Sequence, residues 1–274
     1  MTRHHLGSAS RTAERIRSCA LPPTGSRQAR GGRAGTALIP GSRPTIGGVA
    51  ADHLPERFGD LTLDAFIDQL ASPDPVPGGG SASAVAGSIG AALVSMVAAL
   101  SAGRPRYAVH AEAHERAAGE GRRLTQTLLA LADEDAVAYG GFAAAMKLPR
   151  ETDTERAARA TALQAAARAS CRVPLRCVEA CRDVVAAAES LAGRSNVNAA
   201  SDLAVAALLA EAAAGGAAAN VRINLPSVGD DALAAEWTGQ VDRLLAEVTA
   251  LVDRTRAVVA SGEPRDPLPA LPSS

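Results

Sequence analysis

The 274-residue sequence predicts an all-α fold, an antiparallel helical bundle with a long central helix, on three observations. Aromatic residues make up 2% of the chain while 47% is apolar, a balance that disfavours sheets, whose strands draw on aromatic and β-branched side chains. The apolar share is mostly Ala, Leu and Val, and Ala and Leu lose little side-chain entropy in a helix. The apolar residues of the long stretches recur at helical rather than strand spacing. The length suits one or two domains with a sizeable core.

Residues 1–58 carry Gly, Ser, Pro and Arg without apolar periodicity and read as a disordered basic extension. With no apolar h-region it is not a secretory signal, and its Arg-rich, acid-poor make-up fits either a targeting segment or a stretch that is not translated. The ordered domain spans 59–260. It opens with a short helix from Leu63 to about Leu70, with Phe66, Ile67 and Leu70 on one side. The loop Ser72-Pro73-Asp74-Pro75-Val76-Pro77-Gly78-Gly79-Gly80 ends that helix, because prolines stiffen the chain and lack the amide a helix needs.

From Ser81 to Ala102 no charged residue occurs. A membrane span is the rival reading, but the run is Ala, Gly and Ser interrupted by five serines, and no second such run follows. A buried central helix is the prediction. A long helix covers about 108–147, with bends expected near Gly119–Gly121 and Gly140–Gly141. Thr152 and Glu155 match a capping box at the start of another helix, which runs to Gly193 with a kink or break at Pro174. The polar turn Arg194–Asn198 opens a helix from about Ala199 to Ala214. Asn220–Leu225 alternates polar and apolar and is predicted to be extended. A last helix covers about Asp231–Ala260, and 261–274 reads as a disordered Pro-rich tail.

Net charge is −1, but residues 1–48 hold eight Arg against the single acid Glu14, so the remainder is acidic. An acidic body does not suit nucleic acid as the main partner, and no membrane partner is expected. The cysteines are Cys19, Cys171, Cys177 and Cys181. With no CxxC and no nearby His they predict no metal site but buried free thiols of a reducing cytoplasm. The histidines, His4, His5, His53, His110 and His114, show no spacing for a metal or a triad.

One carboxylate stands in an unusual place. At about 100° per residue, Leu124, Leu128, Leu131, Ala138, Phe142 and Met146 form a single apolar stripe, and Asp135 falls inside it. Its neighbours Asp133 and Glu134 point elsewhere and read as solvated. A carboxylate on a buried stripe must be paired, hydrogen-bonded or raised in pKa. A raised Asp suits proton transfer near neutrality, while a structural pairing with an Arg is the alternative. Asp202 repeats the pattern near a helix start, where capping explains it as well. Asn220, Arg222 and Asn224 project one way along the predicted extended segment, a row of donors suited to a planar, heteroatom-rich ligand. Gly78, Gly79, Gly80 and Ser81 precede the chargeless helix, whose free amides could hold an anionic group.

Seven segments in order resemble the cyclodeaminase/cyclohydrolase family, which comprises the C-terminal domain of formiminotransferase-cyclodeaminase and stand-alone methenyltetrahydrofolate cyclohydrolases. They are Ser72–Ser81, Met96-Val97 with Gly103 and Tyr107, Asp133–Ala136, Met146–Pro149, Val173–Leu175, Asn196 to Asn198 with Ser201-Asp202-Leu203, and Asn220–Leu225. The resemblance runs from about Leu61 to Ala260. It implies a cyclodeaminase-like helical fold working as a homodimer or larger assembly, with Asp135, followed by Ala136 and Tyr139, as the active-site acid. One departure is Ser195, where the family usually has Gly. No formiminotransferase domain is present in this sequence, so a separate formiminotransferase would supply any formimino substrate.

By this resemblance the activity is that of a formiminotetrahydrofolate cyclodeaminase, forming 5,10-methenyltetrahydrofolate with release of ammonia. The alternative is a methenyltetrahydrofolate cyclohydrolase, which needs the same proton relay, so sequence does not separate the two. Asp135 would relay the proton, and Asn196, Asn198, Asn220, Arg222 and Asn224 would hold the pterin or the glutamate, with Gly78–Ser81 taking a carboxylate. The folate derivative is the substrate, and no metal or redox cofactor is expected. A non-catalytic folate-binding helical protein is the remaining reading; it would tolerate loss of Asp135.

Overall fold

The computed structural model describes residues 57–269, which are helical almost throughout and hold no strand. The predicted extension up to residue 56, with Cys19, His4, His5 and His53, lies outside the described residues, as does the end of the tail from residue 270. Six helices follow one another: α1 (Leu63–Leu70), α2 (Gly79–Ser101), α3 (Ala111–Met146), α4 (Asp153–Leu191), α5 (Ala200–Asn224) and α6 (Asp231–Ser261).

Helices α2 to α5 form the bundle, each antiparallel to the one before. Ser81 on α2 meets Ala132 on α3, and Ser95 lies beside Ala118. Glu134 on α3 pairs with Arg176 on α4, and Cys171 on α4 faces the Val221 carbonyl on α5. The ring closes where Ser83 on α2 lies against Gly216, and Ser101 at the end of α2 takes the Asn196 amide just before α5. α6 packs outside against α4 and α5, through Trp237, Val241, Leu244, Val248 and Val252.

The small residues of α2 explain this closeness. A Cβ on Gly90 would stand 2.9 Å from the Ala206 carbonyl oxygen, so α2 and α5 meet almost backbone to backbone. The core is accordingly built of Ala and Val, with Leu124, Leu128, Leu131, Leu191 and Leu203 as its large fully buried residues. Among the described residues α2 is not alone in its apolar length. The stretch 197–227 is a second one long and apolar enough to cross a membrane, although, unlike α2, it carries charges at Asp202, Glu211 and Arg222. Both are integral to the bundle, where each buries about half its circumference.

Several boundaries differ from the sequence reading. α3 is one helix through its glycines, and α4 continues through Pro174. α5 extends ten residues past Ala214, so Asn220–Leu225 is not extended: it is the last turn of α5 and the start of a short 3-10 turn. In this helical turn the Asn220 and Asn224 side chains donate back to the carbonyls of Gly216 and Asn220, four residues earlier. Part of the expected loose tail, 262–269, has no regular structure yet is fastened. The Arg265 amide donates to the Gly193 carbonyl, and the Arg194 guanidinium donates to the Asp266 carbonyl.

The capping box at α4 is present, with Thr152 accepting from the Glu155 amide at 3.2 Å and Glu155 accepting from the Thr152 amide at 2.9 Å. Thr152→Ala is expected to lower the unfolding free energy by about 1 kcal/mol, measured by urea denaturation, with no change in secondary structure.

Candidate functional site

The four-helix ring is not level at its ends. α2 begins at Gly79, below the ends of α3 and α5 and the start of α4, and this leaves a cleft of about 300 Å³ over its first turn. Gly78, Gly79 and Gly80 form the floor, with Pro75 and Val76 at the edge. Asp135, Tyr139 and Phe142 of α3 form one wall, and Asn220, Ile223 and Asn224 of α5 the other, with Ser170 of α4 between them.

Asp135 stands where the apolar stripe of α3 leaves the core. Leu124, Leu128 and Leu131 below it are fully buried, whereas Phe142 above is half-buried and Met146 exposed. The carboxyl group therefore has packed hydrocarbon on one side and the cleft on the other. Burial raises its pKa above the usual carboxylate range, and the hydroxyl and backbone N–H of Ser81 oppose the rise. The Ser81 hydroxyl lies 3.2 Å from Asp135 Oδ2 and 3.0 Å from the Ala132 carbonyl oxygen. A hydroxyl carries one proton, so it serves both acceptors poorly when Asp135 is ionised. When Asp135 is protonated it can donate to Ser81 Oγ while Ser81 donates to Ala132, and every group is satisfied. The pair thus accommodates both states of the acid, which a proton relay requires.

Gly80 permits this contact. A Cβ at residue 80 would fall within 2.5 Å of Asp135 Cγ and Oδ2. Gly78 supplies no side-chain cap to α2, and Asp135 occupies that position across the helix interface, its charge favoured by the positive end of the helix. The first turn of α2, expected to take a carboxylate of a ligand, is thus already served by a carboxylate of the protein. Ser81 is wholly buried and acts on Asp135, not on the cleft.

The remaining predicted residues divide between the two ends of the bundle. Asn220 and Asn224, four apart on a helix, share the side facing the cleft. Arg222 lies on another side, where it pairs with Asp242 of α6 at 2.8 Å, so the expected row of three is broken by the helical geometry. Asn196, Asn198 and Asp202 are at the opposite end of α2 and α5. Asn196 is buried, its amide bonded to Ser101 Oγ and its side chain accepting from the Asn198 amide at 3.2 Å. Asn198 is exposed and Asp202 half-buried in the first turn of α5. Within one subunit these three do not reach the cleft.

Asp133 also differs from its solvated reading: it accepts from the Phe58 amide at 2.8 Å and lies 3.7 Å from Arg57, anchoring the start of the domain on α3. Glu134 pairs with Arg176 at the surface. Cys171, Cys177 and Cys181 are buried free thiols, and no cluster that could hold a metal occurs among the described residues. His114 meets the Arg194 carbonyl at 2.9 Å, far from Asp135. Val76, Ser170 and Ile223 had not been foreseen as lining. Phe142 was visible only as core, although it and Tyr139 follow Asp135 by seven and four residues on one helical face.

The family model for formiminotransferase-cyclodeaminase matches residues 62–243. A methenyltetrahydrofolate cyclohydrolase of Methylorubrum extorquens is 41% identical over 204 residues, covering 74% of this chain and 98% of that protein. A formimidoyltransferase-cyclodeaminase of Rattus norvegicus is 34% identical over 203 residues, but the match spans only 37% of that longer protein. Among solved structures, the formiminotetrahydrofolate cyclodeaminase of Thermotoga maritima aligns with a TM-score of 0.68 and 27% identity, over 74% of this chain and 98% of that one.

Proposed function

Because the chain belongs to the formiminotransferase-cyclodeaminase family, we propose that it is a folate one-carbon enzyme whose Asp135 relays protons at the N5–N10 bridge of tetrahydrofolate, and that its reaction is hydrolysis of 5,10-methenyltetrahydrofolate. The observation that carries the relay is the half-desolvated Asp135 carboxyl, raised in pKa and open to a cleft of ligand size. The choice of hydrolysis rests on the Methylorubrum cyclohydrolase, 41% identical and matched over 98% of its length.

In this reaction water adds to the methenyl carbon and Asp135 takes a proton from it as the carbon–oxygen bond forms. The adduct is a neutral carbinol bridging N5 and N10. Asp135 then returns its proton to N5 as the carbon–N5 bond breaks, and the carbinol proton leaves to solvent as the formyl group forms on N10. One water is consumed and one proton released. Only protons and carbon–oxygen and carbon–nitrogen bonds change, so the chemistry calls for no metal or redox group. General acid–base help of this kind is worth about 10²–10⁴-fold. Tyr139 and Phe142 offer apolar wall to the pterin, and Asn220 and Asn224 offer amides to its heteroatoms. The catalytic unit is residues 59–260, acting as a homodimer in the cytoplasm, where its buried thiols stay reduced.

The Thermotoga structure supports a second reading, cyclodeamination, through the same relay. N10 would attack the formimino carbon on N5, and Asp135 would pass the N10 proton to the departing amine, with a separate formiminotransferase supplying the substrate. The test follows methenyltetrahydrofolate absorbance from both sides. Added methenyl substrate is expected to disappear faster with enzyme than without. Appearance of the same band from formimino substrate, with ammonia, would move the assignment to cyclodeamination. Turnover of neither substrate would overturn both readings.

A further inference from the structure

A second cavity lies at the end of the bundle remote from Asp135. It holds about 220 Å³ between the 3-10 turn Pro105–His110 that leads into α3, the turn 193–197 before α5, and the end of α6 with the tail that follows it. One wall is apolar, built by Val258, Val259 and Pro264, and the other is polar, built by Tyr107, His110 and Ser195. A concave apolar pocket with a few converging polar groups is the usual form of a small-ligand site. The family match does not account for it. The apolar wall lies beyond the matched residues 62–243, and Ser195 stands where the family usually has Gly.

The polar wall consists of donors that lack acceptors. His110 is 8% exposed, and its Nδ1 is walled in without a hydrogen-bond partner. Burial, then the neighbouring His114 and Arg194, lower its pKa below the ordinary histidine value, so the ring is neutral at neutral pH. A neutral ring carries one proton. With Nδ1 sealed off from any acceptor, that proton is better held on Nε2, where the cavity that the ring lines can supply one. Tyr107 precedes His110 by three residues, one turn of a 3-10 helix, and so shares its side. Its hydroxyl oxygen accepts from the Val197 amide at 3.1 Å, which leaves its proton free to donate. Ser195 is 7% exposed, and its hydroxyl makes no hydrogen bond among the described residues.

Donors gathered on one wall call for acceptors, and the charge around them favours a negative group. Arg106 also lines the cavity, its guanidinium 5.6 Å from the centre of the Tyr107 ring, and Arg194 is close enough to act on His110. Glu263 is the opposing charge, exposed at the rim. A carboxylate would bring acceptor oxygens to Tyr107, His110 and Ser195 while a hydrocarbon body covers the two valines. The cavity is smaller than the roughly 300 Å³ at which ordinary ligand pockets begin, so that body must be short.

We propose that this cavity is a second ligand site, which takes a short-chain aliphatic monocarboxylate with its carboxylate on Tyr107, His110 and Ser195 and its hydrocarbon on Val258, Val259 and Pro264. The site does not depend on what the Asp135 cleft turns over. Calorimetry and proton NMR on the full chain test it, with isovalerate as the probe and isovaleramide as its uncharged isostere. Saturable binding of one isovalerate per chain is expected, with a shift of the His110 ring resonances and binding of the amide about tenfold weaker or more. Ser195→Gly, which introduces the residue usual in the family, is expected to weaken isovalerate about tenfold, and His110→Phe to abolish its binding. Asp135→Asn should bind isovalerate as the wild type does. Absence of saturable binding (a cavity holding water only), equal binding of the amide, or undiminished binding by Ser195→Gly or a folded His110→Phe would overturn the proposal. Loss of binding in Asp135→Asn would put the carboxylate in the other cleft and overturn it as well.

Discussion

Replacing Asp135 by Asn is expected to lower kcat for methenyl hydrolysis by about a hundredfold or more while the fold survives. The substitution preserves shape, and an amide oxygen still accepts from the Ser81 hydroxyl that lies 3.2 Å from Oδ2. What it removes is the titratable proton. The same variant is expected to melt no lower than the wild type at neutral pH. Burial raises the Asp135 pKa, so the folded protein holds this proton more tightly than the unfolded chain. The stability tied to that shift is fully present below the unfolded carboxylate pKa and is lost as pH rises through the folded value. Above that folded value the carboxylate is ionised, and its desolvation weakens the fold; Asn carries no such penalty. The melting difference between variant and wild type should therefore grow in favour of the variant from acid to neutral pH. The wild-type kcat/KM profile should in turn show an acid limb above the ordinary carboxylate range. Parallel melting curves and near-normal turnover would remove Asp135 from the chemistry.

That sequence could place Asp135 on the inward side of α3 follows from helical geometry. An angular position on a long helix depends only on residue number, and the stripe from Leu124 to Phe142 left the carboxylate no other side to occupy. The capping box at Thr152 was legible for a related reason, being local and requiring no knowledge of the partner elements. Asn220–Leu225 failed because six alternating residues suit a strand and a helix end equally, and the helix prevails through contacts from afar. Asn224 donates to the Ser170 carbonyl of α4, and Cys171 lies against the Val221 carbonyl. Once that segment is helical, Asn220 and Asn224 stay together and Arg222 must leave them.

The scatter of the other predicted residues has a topological cause. In a bundle whose successive helices reverse direction, the end of α2, the start of α3, the end of α4 and the start of α5 all share one end. Asn196, Asn198 and Asp202 lie there, whereas the start of α2 and the end of α5 hold the cleft. Counting helices separates the two groups once α4 is known to run unbroken through Pro174, since a break there could reverse the count. Residues such as Ser170 carry no local signal at all, because their place in the cleft depends on how α4 lies across three neighbours.

The close approach at Gly80 supplies an independent check on the position of the acid. Gly80→Ala is expected to reduce kcat roughly as Asp135→Asn does, while leaving the unfolding free energy within about 1 kcal/mol of wild type. The added methyl would fall within 2.5 Å of Asp135 Cγ and Oδ2, so the carboxyl group must rotate away and give up the Ser81 hydroxyl. The obstacle is the end of a short side chain beside an open cleft, so the fold can yield there, and Ala also recovers about 1 kcal/mol of helix propensity over Gly. Gly119→Ala on α3 is the matched control. Nothing lies within 4 Å of its added Cβ, so it should gain stability and keep full turnover. The contrast assigns the effect to place instead of chemistry, because Gly80→Ala leaves every ionisable group in the protein intact. If the Gly80 variant turns over normally, the carboxyl group does not need its seat beneath the start of α2, and the relay must work from the open side of the cleft.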